Sequence, residues 1–201
     1  MQETDPAYHT FKCIEAVVGL FGNLLTVIAV LKYKRLQTGS NYLLLNIAIA
    51  DVFSCLSNLL SSTYDLMKYL EYYTVWWYLC YITLYIAFAA ASSNVFGISY
   101  TAFDRFIAIK YPIFYRNKVS LRVWKIVIIF NWLIFLIKTL LESIFAINIK
   151  LELLCAVESV FDGTIYFFSI MLPFAAISLV TTTLYAQITF MVYKRRKLVK
   201  N

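Results

Sequence analysis

The sequence predicts an all-α integral membrane protein, a bundle of transmembrane helices. Three observations carry that expectation. The first is composition: 62% of the 201 residues are hydrophobic, 14% are charged, and mean hydropathy is +0.73. A soluble domain of this length could bury a core, but it would need more polar surface to stay in solution. The second is that apolar stretches long enough to cross a bilayer recur along the chain. The third is that the net charge of +7 gathers at one set of their ends.

The spans follow in order. The first apolar run, Ile14 to Leu31, predicts a helix over 14–33. The second, Asn41 to Tyr64, contains one charge, Asp51, and predicts a helix over 41–66. The third, Leu79 to Phe103, is uncharged and ends at Asp104-Arg105-Phe106; its helix is expected over 79–109. The fourth, Val123 to Ile147, is interrupted by Lys125, Lys138 and Glu142 and predicts 123–147. The fifth, Thr164 to Tyr193, carries no charge and predicts 162–194. These runs are too long for strands and lack strict alternation, so they read as helices. Five spans are found and no sixth.

Charge sets the expected topology. Lys32, Lys34 and Arg35 follow the first span. Arg105, Lys110, Arg116, Lys118, Arg122 and Lys125 surround the link between the third and fourth. Lys194, Arg195, Arg196, Lys197 and Lys200 follow the fifth. The opposite side carries Glu3, Asp5, Asp65, Glu71, Glu152, Glu158 and Asp162. Basic loops stay in the cytoplasm, which places the N-terminus outside and the C-terminus inside. The same bases suit contact with anionic lipid. A nucleic-acid role is disfavoured because the sequence shows no soluble basic domain. The first thirteen residues show no cleavable signal pattern, so the first span is expected to act as its own insertion signal.

Punctuation is sparse. Gly39-Ser40 breaks the chain before the second helix, and Pro112 follows the third. The longest outer loop, about 148–161, carries Cys155. Cys80 and Cys155 both face the oxidising side, so a disulfide between them is expected. Cys13 and Cys55 read as packing residues. Aromatic residues from Tyr64 to Tyr85 crowd the outer ends, either as an interfacial belt or as a lid over a ligand entrance. Asp51 lies mid-span, where a carboxylate is costly and needs company. Asn23 and Asn94 lie at similar depth. The alternative is a purely structural interhelical polar cluster.

The chain resembles the rhodopsin-like (class A) G-protein-coupled receptors over nearly its whole length. The residues that carry the resemblance are ordered. Gly22-Asn23 matches the first-helix signature, and Asn46-Ile47-Ala48-Ile49-Ala50-Asp51 the second, with Ile47 for leucine. Cys80 matches the third-helix cysteine. Asp104-Arg105-Phe106 matches Asp-Arg-Tyr, with Phe106 for tyrosine. Trp132 and Pro173 match the fourth-helix tryptophan and fifth-helix proline. The intervals from Asn23 to Asp51, Cys80 to Arg105 and Arg105 to Trp132 are 28, 25 and 27 residues, as is typical of the family.

The resemblance implies roles. Arg105 would meet a heterotrimeric G protein in the active state, and Asp104 would hold it in the inactive one. Phe106 completes that motif, and Ile113 would be the apolar knob packing into the G protein. Asp51 and Asn94 would form part of a pocket for an allosteric sodium ion. Asn46 and Trp132 would join the second and fourth helices, and Asn23 belongs to the same interhelical polar set. Cys80 and Cys155 would form the family's outer disulfide. An extracellular ligand would meet Ala87, Phe88, Ala91, Ile165, Tyr166 and Ser169. No catalytic residue and no other cofactor is implied.

Departures qualify this. Ala87 stands where amine receptors place an aspartate, which argues against a small protonated amine. Thr181 replaces the fifth-helix tyrosine that supports the active state, and Tyr185 lies four residues later. Lys138 and Glu142 are four apart and can pair on one helical face. No Cys-Trp-x-Pro or Asn-Pro-x-x-Tyr motif of the family's sixth and seventh helices occurs. The expectation is therefore a single receptor transmembrane domain over 1–201 with helices one to five of seven. It is either a receptor fragment at the plasma membrane or a truncated product. A truncated product would associate with full-length receptors and retain them in the endoplasmic reticulum. A transporter or channel subunit is the remaining alternative, with Asp51, Lys138 and Glu142 as pathway charges. It predicts inverted repeats or broken helices, which the sequence does not show. An enzyme is not expected: the single histidine, His9, lies in the N-terminal segment, with no nucleophile–base pair or metal-ligand set.

Overall fold

A computed structural model describes residues 6–67, 73–145, 164 and 167–200. Helix α1 spans Pro6–Lys32. It begins before the apolar run does, because proline at a helix start gives up an N–H that would be unpaired anyway. A 3-10 turn at Lys34–Leu36 reverses the chain. Polar side chains that follow the turn take up carbonyls left open here: Gln37 Nε2 donates to Leu31 of α1 at 3.0 Å, and Asn41 Nδ2, from the start of the next helix, to Leu36 of the turn at 2.8 Å.

Helix α2 spans Gly39–Met67 and α3 spans Tyr73–Lys110. At 38 residues α3 is close to twice what a bilayer core requires, so its ends extend past the hydrocarbon. A short helix, α4, covers Pro112–Lys118 with proline in its first turn. Helix α5 spans Leu121–Phe145. A π-type stretch at Phe167–Met171 leads into α6, Leu172–Lys200. Pro173 explains the wide turn: its ring cannot donate a backbone hydrogen bond and crowds the preceding turn. Among the described residues no strand occurs. Among the described residues five helices are long and apolar enough to cross a membrane: Thr10–Lys32, Gly39–Ser62, Leu79–Lys110, Leu121–Leu141 and Leu172–Lys197. The chain is an all-α bundle of membrane-spanning helices.

The order of packing follows from side-chain size. Helix α3 is the hub, in contact with α2, α5 and α6, while α2 also packs on α1 and α5. Ala48 and Ala50 of α2 and Ala89, Ala90 and Ala102 of α3 are fully buried, as is Leu43 of α2. Small residues let helix backbones approach closely, which membranes favour because lipid supplies no hydrophobic drive for helix association. Aromatic side chains fill the wider gaps. Phe53 meets Trp132 edge-on, and Phe96 leans on Phe135 with ring centres 4.8 Å apart. The outward apolar residues, such as Phe21, Ile28, Ile134, Leu179 and Phe190, are left for lipid.

Candidate functional site at the basic end of the bundle

At the basic end of the bundle, α2, α3 and α4 meet at Asp104. This carboxylate is fully buried near the end of α3. A buried carboxylate requires donors at both oxygens. Ser40, just inside α2, donates to Oδ2 at 2.7 Å, and Tyr115 of α4 donates to Oδ1 at 2.7 Å. The residue after the Gly39 break and the helix after the Pro112 turn are thereby tied to one acid. Burial pushes the Tyr115 hydroxyl above its ordinary value, and its bond to Asp104 adds to that, so the phenol keeps the proton it donates.

This arrangement corrects one expectation. Asp104 does not hold Arg105; among the described residues no ion pair joins them, and both oxygens serve the two hydroxyls. The reason is directional. Consecutive residues on a helix point about 100° apart, so Asp104 faces the core while Arg105 is exposed. Phe106 is half-buried under Lys110, whose ammonium lies 5.0 Å from its ring centre. Ile113 is 72% exposed, beside exposed Tyr111 and Phe114. At the same end Arg195 of α6 donates through Nη2 to the Ile109 carbonyl at 2.7 Å, one of the last carbonyls of α3.

Deeper in the bundle a second polar layer joins α2, α3 and α5. Trp132 Nε1 donates to Asn46 Oδ1 at 2.8 Å, linking α5 to α2. Asn131 Nδ2 donates to Ser93 Oγ at 2.8 Å, linking α5 to α3. Asn46 Nδ2 and Asn131 Oδ1 are buried without a partner. Gly97 explains the close approach: a Cβ there would stand 2.8 Å from Asn46 Nδ2. Asn94 donates to Asp51 Oδ1 across the α2–α3 contact. Asn23 departs from its expected interhelical role, since its amide donates to Gly19 of its own helix at 3.0 Å. A carbonyl four residues back is within reach of a short polar side chain.

Asp51 and Asn94 bring one carboxylate and one amide, and the amide turns its N–H toward the acid. Hard cations take about six oxygen donors. The pair alone does not enclose one.

On the opposite side, three of the expected ligand residues are described, all on α3. Ala87 and Phe88 are half-buried and Ala91 exposed on α3. Ile165 and Tyr166 lie outside the described residues, as does the side chain of Ser169. Tyr85 donates to the Leu136 carbonyl at 2.9 Å, holding α3 against α5 at that level. Cys80 is buried and disulfide-bonded, while Cys155 lies outside the described residues. Cys13 and Cys55 are free thiols. Lys138 is half-buried, and the side chain of Glu142 lies outside the described residues.

Sequence reading missed Ser40, Tyr115, Ser93, Asn131, Ser99 and Arg195. Of these, Ser93 and Asn131 had a usable signal, being polar residues inside apolar spans. A serine at a helix start and a tyrosine near an interface carry none.

A membrane helix bundle whose third helix ends in a buried acid beside an exposed arginine has the organisation of a transmembrane receptor. The family described as "7 transmembrane receptor (rhodopsin family)" matches residues 22–201, and the chain belongs to it. Similar proteins include trace amine-associated receptor 365 of Petromyzon marinus, 33% identical over 58% of this chain and 31% of that protein. Octopamine receptor 2 of Lymnaea stagnalis is 32% identical over 57% of this chain and 19% of its own length. The type-1 angiotensin II receptor of Homo sapiens is 34% identical over 62% and 34%. The matched segment thus spans about a third or less of each of these relatives.

Proposed function

We propose that this chain serves as the first five spanning helices of a receptor at the plasma membrane. It binds an extracellular ligand and signals to a heterotrimeric G protein at its basic, cytoplasmic end. The observation that carries this reading is the division of labour at the end of α3. Asp104 accepts hydrogen bonds from Ser40 and Tyr115 inside the bundle, while Arg105 beside it is exposed and free to offer its planar donors. Ile113 and Phe114 beside it offer apolar contact within a basic rim. Ligand binding shifts a conformational equilibrium that the transducer reads on the other side.

The relatives are named for amines and for angiotensin II. Ala87 supplies no carboxylate for a protonated amine, so the ligand is read as one recognised without that ion pair.

The test is nucleotide exchange in a receptor that carries this segment together with the family's remaining helices. Arg105→Ala should abolish stimulated exchange while surface expression is retained. Unchanged exchange overturns the transducing role. A response to octopamine that requires only the native Ala87 pocket overturns the reading of the ligand.

A further inference from the structure

The contact between α3 and α6 is unlike the others in the bundle. Among the described residues of α6, Thr181 alone is buried; the half-buried ones, Ile177, Leu184, Ile188, Met191 and Val192, form one narrow stripe. In a bilayer such a stripe gains little from hydrophobicity, because lipid tails are as apolar as the side chains. Position along and around the helix must then come from directed contacts. Two are present. Ser99 Oγ and Thr181 Oγ1 are 2.6 Å apart at the middle of the contact. Arg195 reaches the Ile109 carbonyl at its basic end.

Either hydroxyl of the pair can donate to the other. Each also has a carbonyl of its own helix within reach: Thr181 that of Ile177 at 2.8 Å, and Ser99 that of Val95 at 3.1 Å. The interhelical bond therefore exchanges against an intrahelical one and costs little to break or remake.

We infer that Thr181, through Ser99, is the positioning residue that sets where α6 sits against α3. The inference rests on the receptor reading only for its consequence: α6 borders the face on which Arg105 is exposed, so its placement governs access to that face. Arg195 acts with the hydroxyl pair by capping the end of α3, where unpaired carbonyls favour a cation.

The test measures placement and needs no G protein, so its result is independent of the signalling proposal. The full 201-residue chain is reconstituted in lipid nanodiscs with the free thiols removed as Cys13→Ala and Cys55→Ala. Spin labels are attached at Lys118→Cys on α4 and Arg196→Cys on α6, both exposed positions, and their separation is read by pulsed dipolar spectroscopy. Thr181→Val keeps the shape and removes the hydroxyl; it should broaden the distance distribution and shift it. Ser99→Ala should give the same shift, and the double variant no more than either alone. Thr181→Ser should restore the native distribution. An unchanged distribution in Thr181→Val overturns the inference, as does a shift in Thr181→Val that Ser99→Ala fails to reproduce. Should Thr181→Val fail to reconstitute, Ser99→Ala and Thr181→Ser decide alone: a native distribution in the first, or a shifted one in the second, overturns the inference.

Discussion

The α2–α3–α5 region and α6 solve the same packing problem differently. In the first, alanines and glycines bring backbones together, and two polar layers cross between helices at Asp104 and at Asn46. In the second, one stripe and two polar contacts hold a helix that is otherwise open along its length. Inside a membrane, tight placement requires either small residues that admit close packing or polar groups that have nowhere else to bond. The first region has both. Helix α6 has a little of the second, so it is the element whose position responds most readily to a change elsewhere.

That contrast is broken or sharpened by substitution. The largest effect is expected at Asp104. Asp104→Ala leaves the Ser40 and Tyr115 hydroxyls without their acceptor and should cost roughly 3 kcal/mol, since hydrogen bonds to charged groups are worth about 1.5–3 kcal/mol each. Thermal unfolding of purified protein in detergent measures it, and a loss below that at an exposed surface position would remove Asp104 from the core of the region.

Gly97→Ala comes next. Its Cβ would meet Asn46 Nδ2 at 2.8 Å and Ile47 Cγ1 at 3.0 Å, and overpacking of this kind costs about 1–3 kcal/mol. The same unfolding assay applies; a neutral result would show that α2 yields to α3 and is less tightly set than α6's open face suggests by contrast.

Trp132→Phe is expected to cost about 1 kcal/mol, the usual scale of one interhelical hydrogen bond in a membrane. Pairing it with Asn46→Leu should show the coupling, because the second change removes the acceptor that the first leaves open. Additive losses would mean that the two residues act separately.

The smallest effect belongs to α6. Leu179→Ala lies on its open face, 67% exposed, and should change stability by less than about 0.5 kcal/mol. A larger loss would show that this face is covered in the assembled protein, and the contrast between the two regions would narrow.

The structure makes clear which parts were legible beforehand. The spans could be read from run length, because a helix must remain apolar for the width of the bilayer. Trp132 and Asn46 could be paired through the family resemblance. The partners of Asp104 could not: Ser40 is 64 residues away and Tyr115 is 11 away, in a helix of seven residues with no apolar periodicity to announce it. The same holds for Ser99 and Thr181, which are 82 residues apart. Hydroxyls within apolar helices commonly bond their own backbone, and both of these do, so nothing local marks the interhelical contact.

The amino-acid sequence by itself determined the number of spans, their alternation and the side on which positive charge collects. These follow from solvation of each segment taken alone. Only the tertiary structure decided that Asp104 turns inward to two hydroxyls, that Arg105 turns outward, and that α6 rests on one buried threonine. Those outcomes depend on which side chains distant segments present to one another, and a hydrogen bond forms only where both partners arrive at the same place.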